Sequence, residues 1–365
     1  MKITFPRMGT SWIGLKALFE GLGHETVLPP PPSKHTLDLG TKYAPEFACL
    51  PFKVLLGSYL EALEMGADTI VSSGGVGPCR AGYYTQLQKR ILREQLSYDV
   101  RVITFEPLNR NWRGTYLILK DLVEVGFGDF LGALWLTWQK LLALDALEKE
   151  SHRIRPLERH IGTTSRVVKD AFADIDAAQS VDEVRARTAV RLEELRAIPQ
   201  DLAREPLRVG VIGEIYVVLE PFVNQDVVET LGHMGVYVHR SIFLTDWTKD
   251  NAILDAFRIP GEMNIKRAAQ PYLPEMVGGH GQNSIGETIL YAKRGFDGVV
   301  QLAPFTCIPE IVAKSIIPKV SEDYNLPVLT LMLDEQTGKA GVSTRLEAFV
   351  DLLTMRRQRL RGETA

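Results

Sequence analysis

The hydrophobic pattern of the chain changes character twice. Up to about residue 107, short apolar runs alternate with longer stretches of helical spacing. "KITF" reads as a strand, "IGLKALFEGLG" as a helix ending in glycine, and "ETVL" as a second strand before the "PPPP" loop at Pro29 to Pro32. "FKVLLGSYLEALEMGA" then reads as a helix, "DTIVSS" as a strand, "YYTQLQKRILREQL" as a helix and "VRVITFE" as a strand. Strand-helix alternation of this kind predicts a parallel sheet with helices on both faces. From Asn109 to about Glu205 the strand signal fades. "FLGALWLTWQKLLALDALEKESHR" and "SVDEVRARTAVRLEELRAI" have helical spacing, and Ser180 with Glu183 three residues on predicts a capping box.

From Pro206 the alternation returns. "RVGVIG", "GVYVHR", "DGVVQLA" and "PVLTLMLD" read as strands. "VNQDVVETLG", "IGETILYAKRG", "IPEIVAKSIIPKVSEDY" and the closing "TRLEAFVDLLTMRRQRLRG" read as helices. The predicted fold is α/β: two Rossmann-like parallel-sheet lobes with a helical insertion between them. The expected domains are residues 1–107, a helical middle region at 108–205, and 206–365 with the C-terminal helix. The lobes echo each other. Leu22-Gly23-His24 matches Leu231-Gly232-His233, and "MGADTIV" at Met65 to Val71 matches "RGFDGVV" at Arg294 to Val300. Two matches in the same order suggest a repeated architecture.

Composition narrows the class. The chain has 365 residues, 45% hydrophobic and 24% charged, with a formal net charge of −3. That mild balance gives no reason to expect a nucleic-acid surface. No uninterrupted apolar stretch approaches about 20 residues, and the N-terminus is too polar for a signal peptide, so the expectation is a cytoplasmic protein with no membrane partner. Three cysteines, an odd number, argue against a disulfide framework.

The surroundings of those cysteines carry chemistry. Cys49 lies in "FACLPF", Cys79 in "VGPCRAG" and Cys307 in "PFTCIPE". Each has a proline within two residues and precedes a helical pattern; Cys79 and Cys307 also follow a strand. Proline favours the first helical turn, so the sulfurs are expected at helix N-termini. There the dipole and free N–H groups stabilise thiolate. Three thiolates outside the carboxyl ends of parallel strands suit a metal in the cleft between lobes. Three unrelated buried thiols are the bland alternative. The glycine turn before Cys79 is not a phosphate cradle: Arg80 stands where the last glycine of G-x-G-x-x-G would be, and no GxxxxGK[ST] occurs. Neither a nucleotide-phosphate loop nor a dinucleotide site is therefore indicated.

The pieces "CLPFK", "GGVGPCRAGYY", "LAPFTCIPE" with the following "IPKVSEDYNLPVLTLMLDEQTG", and "TRLEAF" together resemble the 2-hydroxyacyl-CoA dehydratase subunit family. The likeness is to its cluster-bearing component D, and within it to the stand-alone branch related to CoA-enzyme activases. It covers both lobes but not the helical middle. The resemblance implies a [4Fe–4S] cluster held by Cys49, Cys79 and Cys307, with one position open or taken by a non-cysteine ligand. It implies an ATP-dependent iron–sulfur activator as electron donor, a small-molecule substrate such as an acyl-CoA, and homo- or heterodimeric pairing. The activity implied is reduction or dehydration through a ketyl radical anion that expels hydroxide. Two alternatives stay open: a non-catalytic electron-transfer or scaffold subunit, and a zinc or metal-free protein in which His280 completes a Cys3His site.

Further candidates surround this core. His280, Gln282 and Asn283 lie in the polar, glycine-rich "GGHGQNSIGE" before a helix. His280 is a candidate acid or base, and Gln282 and Asn283 are candidate substrate contacts. Glu214 and Tyr216 follow "RVGVIG" and are read as a general base and a substrate contact; a helix cap or a solvated carboxylate is the alternative for Glu214. Gly75 and Gly77 are expected to let backbone approach the cofactor, and Arg80 to offset its charge. His24 and His233 read as structural.

Overall fold

The computed structural model describes residues 1–73, 79–105, 112–254 and 261–362. Gly75 and Gly77 lie outside the described residues. The first lobe runs β1 (Lys2–Thr4), α1 (Ser11–Gly21), β2 (Glu25–Thr26), α2 (Lys34–Tyr43), α3 (Leu50–Glu64), β3 (Thr69–Ser73), α4 (Ala81–Arg90) and β4 (Arg101–Phe105). The helices α5 (Trp112–Leu122), α6 (Phe127–Ile154), α7 (Thr163–Ala177) and α8 (Val181–Ala197) follow. The second lobe runs β5 (Leu207–Gly213), α9 (Ile215–Leu219), α10 (Pro221–Asn224), α11 (Val227–His233), β6 (Val236–Arg240), α12 (Leu244–Thr248) and α13 (Met263–Ala269). It closes with α14 (Gly281–Lys293), β7 (Gly298–Pro304), α15 (Ile308–Asp323), β8 (Val328–Leu333) and α16 (Lys339–Arg361).

The fold is α/β with two four-stranded, wholly parallel sheets, ordered β2-β1-β3-β4 and β6-β5-β7-β8. Both orders are the same path: start inside, step to one edge, then cross back. Each sheet therefore has its topological switch between its first and third strands, where open parallel sheets bind ligands. The aspartate echo has a structural cause. Asp68 accepts the backbone N–H of Lys2 at 3.0 Å, and Asp297 accepts that of Arg208 at 2.7 Å. Each locks the start of the third strand to the start of the first. The glycines before them, Gly66 and Gly295, both take left-handed φ, at 96° and 69°.

The other echo is corrected by the structure. Gly23 is a left-handed turn residue after α1, φ 94°, but Gly232 lies inside α11. The counterpart of Gly23 is Gly235, φ 80°, three residues further on. The single helix expected over "VNQDVVETLG" is also two. Gln225 and Asp226 both take positive φ, and Asn224 stabilises the break, its amide donating to the Val217 carbonyl and its oxygen accepting from Val227 N–H.

The lobes share one apolar core: Leu37, Leu50 and Val54 pack with Val209, Val211, Leu302 and Leu333. Polar ties reinforce the seam. Lys53, nearly buried, pairs with Glu335 at 2.7 Å, and Gly9 N–H donates to Glu220 at 2.8 Å. The long α6 spans both lobes. Thr10 donates to Glu148 on it, Glu148 also pairs with Arg240, and Asp145 accepts Leu244 and Thr245 N–H. Among the described residues no helix is long and apolar enough to cross a membrane.

Helices α2 and α3 cross at two glycines. A Cβ on Gly40 would fall 1.7 Å from the Lys53 carbonyl oxygen, and one on Gly57 would fall 1.8 Å from that of Thr36. Because the clash is with backbone, Gly40→Ala and Gly57→Ala are each expected to destabilise by about 3 kcal/mol or more in urea titration. Gly132→Ala, in open space on α6, is expected to be neutral or to stabilise by about 0.5–1 kcal/mol. Equal effects at the three sites would contradict the crossing.

Candidate metal centre at the lobe seam

Each cysteine stands at a helix start. Cys49 is the residue before α3 and Cys307 the residue before α15, both extended and both followed by proline in the first turn. Cys79 comes two residues before α4. Cys79 follows β3 and Cys307 follows β7, the third strand of each sheet, so both lie at a switch edge. Cys49 and Cys307 are buried and Cys79 is half-buried.

Three contacts draw the cysteine loops together across the seam. The Arg80 guanidinium donates to the Phe47 carbonyl at 2.6 Å and to the Thr306 carbonyl. Thr306 donates its hydroxyl to that same Phe47 carbonyl at 3.1 Å. Thr306 holds φ of 67°, an unfavourable value for a β-branched residue, and these two contacts fix it there. What the structure gives Arg80 is a clamp on the loops before Cys49 and Cys307. On another side Gly279, φ 48°, packs closely on Pro309 and lies beside Cys79. A Cβ there would lie 3.8 Å from Cys79 Sγ and 3.1 Å from Pro309.

The electrostatics correct one expectation. Helix N-termini alone would favour thiolate, and the backbone N–H groups of Phe52, Ala81 and Glu310 do act that way on the three sulfurs. Burial is the larger effect and points the other way. It pushes the Cys49 thiol up to about 11 and raises Cys79 and Cys307 as well. Negative charge on Glu214 raises all three further. Glu214 is itself pushed up to about 7 by burial, against the pull of the Val217 and Tyr216 N–H groups. Its Oε2 accepts from Val217 N–H at 3.0 Å, capping α9.

The remaining candidates divide. His280 precedes α14 and, with Asn283, lines a small cavity that also touches Gly213, Glu262 and Glu287. Its space for a water centre is about 20 Å³, room for one water. Burial lowers the His280 pKa. Gln282 does not line this cavity; its amide holds the Leu273 carbonyl at 3.0 Å. Tyr216 is buried, and its hydroxyl donates to the Arg7 carbonyl at 2.9 Å, a strut between lobes. His24 and His233 sit as structural groups, His24 against the Leu122 carbonyl and His233 beside Glu229.

Two residues at the site went unremarked in the sequence. Tyr84 on α4 presses its hydroxyl against Cys49 Sγ, and burial raises its pKa above the usual phenol value. Glu310, three residues after Cys307, is buried and held by Ser284 and Gln301 at 3.0 and 2.9 Å. Burial pushes it up to about 7. The only sequence signal for either was position: Tyr84 five residues past Cys79, Glu310 within the Cys-x-Pro-x run.

Among the described residues no three His, Cys, Asp or Glu side chains gather tightly enough to hold a single ion. A cluster of several irons places its cysteines on different corners, and three soft sulfurs at helix N-termini suit that donor set. What the fold and site define is a two-lobed parallel α/β protein with three cysteine-bearing helix starts at its seam, tied by Arg80 and Thr306. Neither the family models nor the curated proteins searched give a match to this sequence.

In metal-free protein kept under argon, alkylation of the cysteines is expected to be slow at pH 7–8 and to accelerate towards pH 11, because burial holds the thiol form. Glu214→Gln removes negative charge from all three and is expected to speed labelling at fixed pH. Rapid labelling of wild type at pH 7, or no effect of Glu214→Gln, would contradict this electrostatic picture.

Proposed function

We propose that this chain is an iron–sulfur protein of the 2-hydroxyacyl-CoA dehydratase type, holding a [4Fe–4S] cluster through Cys49, Cys79 and Cys307. The observation that supports the reading is the tie that Arg80 and Thr306 make between the cysteine-bearing helix starts, two from one lobe and one from the other. When bound, such a cluster supplies low-potential one-electron chemistry, delivered by a separate ATP-dependent iron–sulfur activator. The substrate in this reading is a small molecule, an acyl-CoA in the resembled family, and the setting is cytoplasmic.

The chain's own residues have definable tasks in that reading. Arg80 and Thr306 fix the spacing of the cysteine loops. Tyr84 donates to the Cys49 sulfur and so tempers its charge. Glu214 is a carboxyl that both holds and releases a proton near neutral pH, which suits an acid or base beside a leaving hydroxide. His280 and Asn283 bring polar groups to the adjoining cavity.

A second reading, a non-catalytic electron-transfer or scaffold subunit, has its own support. Phe127, Leu131, Leu134 and Trp135 leave one face of α6 apolar and exposed, as a surface for a protein partner would be. One experiment separates the two. The protein is reconstituted anaerobically with iron and sulfide, reduced, and followed by EPR with and without 2-hydroxyacyl-CoA. An enzyme is expected to lose the reduced-cluster signal on adding substrate, and a relay to keep it. Failure to form any EPR-active cluster would overturn both.

A further inference from the structure

Away from the cysteines, a second cavity lies where the middle helices meet the second lobe. Its open space is about 240 Å³, below the range of typical nucleotide or CoA pockets and suited to a small organic acid or phosphate. Arg155, at the end of α6, lines it together with Ser165, Lys169 and Phe172 of α7 and Arg240 of β6. Arg155 is only 6% exposed, and its Nε has no hydrogen-bond partner.

A buried guanidinium ordinarily finds a carboxylate. Three glutamates lie within electrostatic reach of this one: Glu229, Glu158 and Glu148. Each is engaged elsewhere. Glu148 pairs with Arg240 and accepts from Thr10. Glu158 accepts the N–H groups of Gly162 and Thr164 at 2.8 and 2.7 Å. Glu229 accepts from the Ser165 hydroxyl at 2.8 Å. Asp226, also on the cavity wall, pairs with Lys339. Among the described residues no carboxylate makes an ion pair with Arg155.

The seat for this arginine is built. Its stem lies in a notch that only glycine permits, since a Cβ on Gly232 would fall 2.6 Å from Arg155 Cδ. Interaction with the C-terminal dipole of α6 accounts for a positive charge here, but it gives Nε no hydrogen-bond partner and no carboxylate holds the fork. The geometry points to a binding site for a small oxyanion, a carboxylate or phosphate group, taken by the Arg155 fork with Lys169 at the mouth. This site is separate from the cysteines and does not depend on the metal reading.

Isothermal titration of the full metal-free chain with inorganic phosphate and, separately, with malonate tests it and tells the two anion types apart. At least one is expected to bind with Kd below about 1 mM. Arg155→Met is expected to weaken that binding about 10-fold or more, and Lys169→Met several-fold. Lys169 is exposed, so its variant keeps the assay decisive if Arg155→Met does not fold. No saturable binding of either anion below about 1 mM, or binding unchanged in the variants that fold, would overturn the site.

Discussion

In a parallel sheet every strand delivers the chain to the same edge, and every following helix begins there. This protein sets two such edges face to face, and its candidate chemistry depends on that. Cys79 follows β3 and Cys307 follows β7, the equivalent strands of two sheets with the same order. The alignment is held by the apolar core shared between lobes and by ties that cross the seam: Lys53 with Glu335, Tyr216 with Arg7, Gly9 with Glu220. Loosening the seam would separate Cys307 from the other two sulfurs without touching any of them.

Burial and helix termini act in opposition on the sulfurs. Keeping Cys49 as a thiolate in the metal-free protein costs roughly 3 kcal/mol more than in water, given a pKa near 11. A bound cationic centre reverses that balance, because metal ligation deprotonates a thiol outright. The N–H groups at the helix starts then favour the charged form that burial had opposed. Glu214 follows the same logic: burial keeps it protonated up to about pH 7, and positive charge nearby would ionise it.

Much of this was legible in the sequence, for local reasons. The strands showed as apolar runs, and the Cys-x-Pro runs marked two helix starts by the chemistry of proline. The matching aspartates were visible because each does the same job at the start of a strand. What stayed hidden was set by tertiary contact. No helix was read over the largely polar α2, which Gly40 lets press against α3. The break at Gln225 and Asp226 depends on Asn224 reaching back to Val217. The Gly23 and Gly232 match misled because one glycine turns the chain and the other makes room for Arg155. At the site, position alone suggested the thiolate state, whereas burial and Glu214 are properties of the folded seam.

The most direct measurement is the metal content of protein purified without air, for wild type and for Cys49→Ala, Cys79→Ala and Cys307→Ala. A shared cluster gives about four irons and four sulfides per chain in wild type, and each single substitution lowers both steeply. Wild type without iron, or iron retained in full after loss of any one of the three cysteines, would contradict a single centre built across the seam.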